Sequence, residues 1–85
     1  MSKVVMYEVE PFSIKYYYNG AIKRYIVDLI VYYNDGSKDL IEVKGSYDLN
    51  NEQVKAKLNA GRGYAIKNRM NFLILTEKDL LNKEV

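Results

Sequence analysis

The stretch Val27-Asp28-Leu29-Ile30-Val31-Tyr32-Tyr33-Asn34-Asp35-Gly36-Ser37-Lys38-Asp39-Leu40-Ile41-Glu42-Val43-Lys44-Gly45 decides the fold. Two runs rich in β-branched and aromatic residues flank Asn34-Asp35-Gly36, a tight-turn signal, so the stretch reads as a β-hairpin. With a three-residue loop, Tyr33 faces Ser37 and each earlier residue of the first strand faces a fixed partner on the second. Asp28 then lies opposite Glu42, and directly opposed side chains are ~4.5–5.5 Å apart. Lys44 is two residues beyond Glu42, and the two-residue period of a strand returns it to the same face. Two carboxylates and an ammonium therefore converge.

A solvated charged stripe would be flanked by polar residues. Here Ile26, Ile30 and Leu40 share the Asp28 face, while Val27, Leu29, Val31, Ile41 and Val43 make the other. Strands apolar on both sides are expected to be covered on both faces, and charges placed on such a surface are costly unless they have a use. The Asp…Glu-x-Lys constellation is the pattern of a metal-dependent phosphodiesterase site.

Composition narrows the chemistry. Eighty-five residues make one domain, residues 1–85, with a single modest core. Cysteine and histidine are both absent, which removes disulfides, thiolate zinc sites, Cys nucleophiles and imidazole general bases. Catalysis is left to Asp, Glu, Lys, Tyr or a metal held by oxygen ligands, which favours Mg2+ or Mn2+ over Zn2+. Thirteen Lys and Arg against eleven Asp and Glu leave a net charge of +2. The cations Lys55, Lys57, Arg62, Lys67 and Arg69 follow one another with no acid among them, a basic helix suited to a phosphate backbone. No run approaches the roughly 18–20 apolar residues that span a bilayer, and no secretory signal is visible, so the expected location is cytoplasmic with no membrane partner.

Residues 4–10 alternate as a short strand that Pro11 interrupts. Residues 12–18 form the next, and Asn19-Gly20 suits a type I′ turn. Residues 21–33 are expected as one long central strand carrying Asp28, and residues 38–44 as its return. Asn50 is expected to cap a helix reaching about Asn68, with Gln53 at the capping-box position. Val54, Leu58, Gly61 and Ala65 lie on one side of that helix, with Gly61 and Gly63 marking close approach to the sheet or to DNA. Residues 72–76 read as a strand inserted through a crossover, and residues 77–81 as a terminal helix. The fold class is α/β (α+β), a mixed sheet with one main helix packed on it.

These residues resemble the PD-(D/E)xK nuclease superfamily: Val27-Asp28, then Ile41-Glu42-Val43-Lys44-Gly45, a helix with Gln53, Lys55, Lys57 and Tyr64, and the strand from Phe72 to Glu77. The likeness is strongest to phage Holliday-junction resolvases and to the endonuclease subunit of heteromeric transposases. It implies a minimal restriction-endonuclease-like fold and a Mg2+-dependent DNA endonuclease, of phage or mobile-element type, acting on branched or structured DNA. Asp28, Glu42 and the carbonyl of Val43 would hold Mg2+, with Mn2+ as substitute. Lys44 would position or activate water, Gln53 would orient Lys44 or a phosphate oxygen, and Lys57 would contact the DNA backbone. Val27 stands where such nucleases often carry proline. The N-terminal helix that usually supplies another acid has no counterpart here, leaving Glu8, Glu10 or a second subunit to provide it. A homodimer closed through the tyrosine-rich hairpin, Tyr16 and Tyr18 included, is expected. The competing readings are a non-catalytic nucleic-acid-binding module and a small protein-interaction domain.

Overall fold

In a computed structural model that describes residues 2–82, the expected central strand is broken, and the break organises the molecule. The elements are β1 (Val4–Val9), β2 (Ser13–Tyr18), β3 (Ala21–Ile26), β4 (Leu29–Tyr33), β5 (Lys38–Val43), a 3-10 turn (Ser46–Asn50), α1 (Glu52–Lys67), β6 (Asn71–Leu75) and α2 (Glu77–Asn82). A mixed sheet runs in the order β1-β4-β5-β6, and β2 and β3 form a separate two-stranded sheet. Val27 and Asp28 lie between the two.

The interruption has a local cause. The Val27 N–H still donates to the Phe12 carbonyl at 3.0 Å, while the Asp28 carbonyl already accepts the Glu10 N–H at 3.0 Å. Pairing thus passes from one sheet to the other between consecutive residues. On the facing arm the ribbon turns through Glu10, at φ +49°, and Pro11, which has no N–H to give to a ladder. The inward parity changes at this corner: Tyr25 and Val27 are buried before it and Ile30 after it. Ile26, expected to share the Asp28 face, is consequently 58% exposed.

Beyond the corner the expected register holds. Leu29 pairs with Ile41 and Ile30 with Leu40, antiparallel, and β5 pairs with β6 in parallel. The turns also follow their sequences, with Asn19 and Gly20 at φ +51° and +74° and Gly36 at +90°. The parallel strand is reached by the α1 crossover. One apolar cluster joins Ile14, Tyr16, Tyr25, Val27, Ile30, Leu40 and Ala65, so α1 seals the hairpin and one face of the main sheet together. Each fully buried aliphatic side chain there contributes about 1.5–3 kcal/mol of transfer free energy.

Among the described residues the other face of the sheet is covered only at its centre, where Asp39 and Ile41 are buried, contrary to the expectation of full cover on both sides. Tyr7, Val9, Val43 and Leu73 expose 65, 64, 57 and 41% of their surface. The cause is supply: α1 covers a single layer, and among the described residues α2 packs at β6 and bonds the 3-10 turn through Glu77.

Leu58, Gly61 and Ala65 are the buried residues of α1. A Cβ at Gly61 would overlap the Tyr25 hydroxyl and come within 2.9 Å of the Phe72 ring, whereas at Gly63 it would meet nothing within 4 Å. Close approach to the sheet therefore belongs to Gly61 alone. Gly61→Ala is expected to lose about 1–3 kcal/mol through overpacking, despite better helix propensity. Gly63→Ala should gain up to about 1 kcal/mol. Urea denaturation of the two variants checks the contrast, and equal midpoints would contradict it.

Candidate active site

The β4–β5 register, continued one step past Leu29 and Ile41, sets Asp28 beside Glu42. Asp28 is held there by its own side chain, whose Oδ2 accepts the Val43 N–H at 2.8 Å. Glu42 lies on the covered face with Ile30 and Leu40 and is fully buried. Neither of its carboxylate oxygens has a hydrogen-bond partner. Lys44 extends the ladder by one bond, its N–H donating to the Leu75 carbonyl at 2.9 Å. Its side chain, partly exposed, returns to the Glu42 side of the strand.

Burial pushes the Glu42 carboxyl up from 4.5 to about 7, the charge of Asp28 adds to the rise, and Lys44 opposes it. The Asp28 N–H also opposes the rise, yet no donor reaches hydrogen-bonding geometry on either Glu42 oxygen, and a buried carboxylate facing another in that condition is an expensive arrangement that a divalent cation would offset. Carboxylate oxygens are also the hard donors that Mg2+ and Mn2+ prefer. The residues present therefore fit such an ion. Among the described residues no group of three or more acids gathers, and Asp28 and Glu42 are the two that meet here.

Another acid on β5 makes an instructive contrast. Asp39 is also buried, on the opposite side of the strand, yet it accepts from the Tyr33 hydroxyl at 2.6 Å and the Asn71 amide at 2.9 Å. It is satisfied within the fold, as a structural acid should be.

The other expected site residues are spread around this centre. Glu10 adjoins Asp28 through the main-chain bond described above, with an exposed side chain. Glu8, exposed on β1, accepts a hydrogen bond from the Tyr32 hydroxyl. Neither completes a cluster with Asp28 and Glu42. Gln53 donates through Nε2 to the Tyr16 hydroxyl at 2.8 Å. Nor does it form a capping box. The cap is Asn51, one residue later than expected, whose Oδ1 accepts the N–H groups of Gln53 and Val54 at 2.8 and 3.1 Å. The shift arises because residues through Asn50 are taken up in the 3-10 turn.

The cations of α1 divide between its flanks. Lys57 sits 6.0 Å from the Tyr16 ring on the β2 side, and Arg62 lies 5.2 Å from the Phe72 ring on the β6 side. Lys55 pairs with Glu52 at 3.7 Å, and Lys67 and Arg69 are exposed at the helix end. The helical period of 3.6 residues prevents these spacings from forming one stripe.

Tyr25 was not singled out from sequence. It is buried, its hydroxyl has no partner, and burial together with the charges of Glu42 and Asp28 holds that hydroxyl above its ordinary ionisation range. The one available signal was its place three residues before Asp28, obscured among nine tyrosines.

Comparison with known families places this arrangement in a nuclease-related class. The chain belongs to the family described as TnsA-like endonuclease N terminal, whose model matches residues 1–77. That span takes in the corner, the Asp28 and Glu42 pair, α1 and β6, and agrees with the resemblance to the transposase endonuclease subunit. No curated protein and no solved structure matches the chain.

The raised Glu42 carboxyl predicts a stability profile. Unfolded, it titrates near 4.5; folded, near 7, so the native state holds an extra proton between these values. The associated stability is fully present below about pH 4.5 and is lost as pH rises through 7, on the order of 3 kcal/mol in all. Urea midpoints measured in EDTA from pH 4.5 to 8 should fall for the native protein and stay nearly level for Glu42→Gln. A wild-type midpoint that rises over this range would contradict the origin assigned to the shift.

Proposed function

We propose that the chain is a metal-dependent DNA endonuclease hydrolysing phosphodiester bonds, with branched or otherwise structured DNA as substrate. The observation that carries this reading is the wholly buried Glu42 carboxylate, unpartnered on both oxygens and set beside Asp28. Membership of the TnsA-like endonuclease N-terminal family supports the same class of activity.

Asp28, Glu42 and the main-chain carbonyl of Val43 would hold Mg2+, with Mn2+ as a substitute. Held by these groups, such a cation would supply Lewis-acid chemistry, making water at the site more acidic and offsetting phosphate charge. The Val43 N–H fixes one Asp28 oxygen and leaves the other available as a ligand. Glu42 contributes its charge from a region closed to bulk water, where electrostatic interactions are strong. Lys44 positions the attacking water and stabilises negative charge growing on the phosphate. Lys55, Lys57, Arg62, Lys67 and Arg69 supply backbone contacts from both flanks and the end of α1, which makes binding salt-dependent.

Asp28→Asn, Glu42→Gln and Lys44→Ala should each lower Mg2+-dependent cleavage by at least about 10²–10³-fold while the fold is retained. The assay is incubation with supercoiled, linear, single-stranded and four-way-junction DNA, with and without Mg2+. Cleavage that persists in EDTA would refute the mechanism, and binding without cleavage on every substrate would favour the non-catalytic module.

The reading includes a second copy of the chain, giving two sites that can cut two strands. The Tyr16 expected at the interface is instead buried in the core, and Tyr18 packs against it. The partly open sheet face is better suited, since exposed Val9 and Leu73 flank half-buried Leu29 and buried Ile41 in one row across all four strands. Contiguous apolar surface of this kind marks interaction sites, and two-fold pairing is the commonest closed assembly. Sedimentation equilibrium should show a dimer at tens of micromolar that Val9→Lys with Leu73→Lys converts to monomer. A wild-type monomer under these conditions, with and without DNA, would exclude the dimer.

A further inference from the structure

Among the described residues, the buried side-chain polar atoms without hydrogen-bond partners belong to two residues, Tyr25 and Glu42. Both lie on the side of the sheets that α1 covers. Tyr25 is on β3 three residues before the corner that holds Asp28, and Glu42 is on β5 opposite that corner. One residue offers a donor without an acceptor, and the other offers acceptors without a donor. The surroundings of Tyr25 give its ring little freedom. Its hydroxyl lies against Gly61, in space that a Cβ at that position would occupy. Tyr16 meets its ring edge-on, with centroids 6.1 Å apart, and Tyr16 is itself tied to α1 by Gln53. A phenol hydroxyl inserted this deeply is ordinarily hydrogen-bonded, and the acidic pair is the charge that acts on it.

We infer that Tyr25 is a positioning residue of the acidic site: its hydroxyl donates to the Glu42 carboxylate when a divalent cation is held there, orienting the other Glu42 oxygen toward the ion. This rests on the reading of Asp28 and Glu42 as metal ligands. Ligand carboxylates are commonly oriented by such outer hydrogen bonds, whose removal costs roughly 10–100-fold in metal affinity or activity. The glycine at position 61 then has a functional as well as a packing reason. It makes room for the hydroxyl beneath the helix.

The test is Mn2+ binding to the full chain by isothermal titration calorimetry at pH 8, together with the tyrosine ultraviolet difference spectrum on Mn2+ addition. Tyr25→Phe keeps the ring and removes only the hydroxyl, so a thermal melt should show a folded protein at least as stable as wild type. Its Mn2+ affinity should fall about tenfold or more, and the difference spectrum should disappear. Tyr16→Phe, which loses the Gln53 bond but leaves Tyr25 intact, should retain both signals. In the Glu42→Ala background, where residual Mn2+ binding is weak, adding Tyr25→Phe should cause no further loss. Unchanged Mn2+ affinity in folded Tyr25→Phe, with wild type binding normally, would overturn the role of Tyr25 alone. Failure of the wild type to bind Mn2+ would overturn the metal reading and this inference with it.

Discussion

The exchange of hydrogen bonds at Val27 and Asp28 is the constraint on which the molecule depends. One N–H is committed to the hairpin and the next carbonyl to the main sheet, so the two sheets meet at a corner that neither can relax independently. The corner turns Tyr25 and Val27 toward α1 on one side and Ile30 on the other, letting a single helix seal both sheets. It also ends regular pairing at Asp28. Asp28, released from the ladder's alternation, can turn its carboxylate onto the Val43 N–H.

The two buried acids of β5 show how placement separates structure from chemistry. Asp39 has donors from Tyr33 and Asn71 and is content within the fold. Glu42, three residues on and facing the helix, has none. An acid kept in that condition costs stability at neutral pH, and folds keep such costs small unless the group has a use. The difference lies in what each neighbour offers, since depth of burial is nearly the same for both.

Much of this could be read from sequence because hairpin geometry is arithmetic. Once Asn34-Asp35-Gly36 is recognised as a three-residue loop, the pairing of Leu29 with Ile41 and the approach of Asp28 to Glu42 follow without tertiary information. The crossover to β6 and the buried positions Leu58, Gly61 and Ala65 were legible from helical spacing. The corner was not, because Tyr25-Ile26-Val27-Asp28-Leu29 favours a strand at every position but Asp28, and the break comes from a partner strand interrupted by Pro11, a non-local cause. The same blindness assigned Ile26 to the wrong face. Gln53 was misread because a one-residue shift of the cap, from Asn50 to Asn51, changes which neighbour its amide meets. Tyr25 was missed because only the tertiary structure separates one buried hydroxyl from eight other tyrosines.

The parallel pairing of β5 with β6 has a consequence for the order of assembly. The β4–β5 hairpin closes a short loop, whereas β6 can join β5 only after the whole α1 crossover has been ordered, and the entropy of closure grows with the length of chain enclosed. Local pairing is the faster step. Asp28 and Glu42 are therefore brought together while the surface of the hairpin is still wet, and their repulsion is screened by solvent. Desolvation of Glu42 waits for α1 and β6 to dock, so the most unfavourable electrostatic event coincides with formation of most of the apolar core. A cation captured by the hairpin before docking would offset that repulsion during assembly, acting as a folding cofactor as well as a ligand of the finished site.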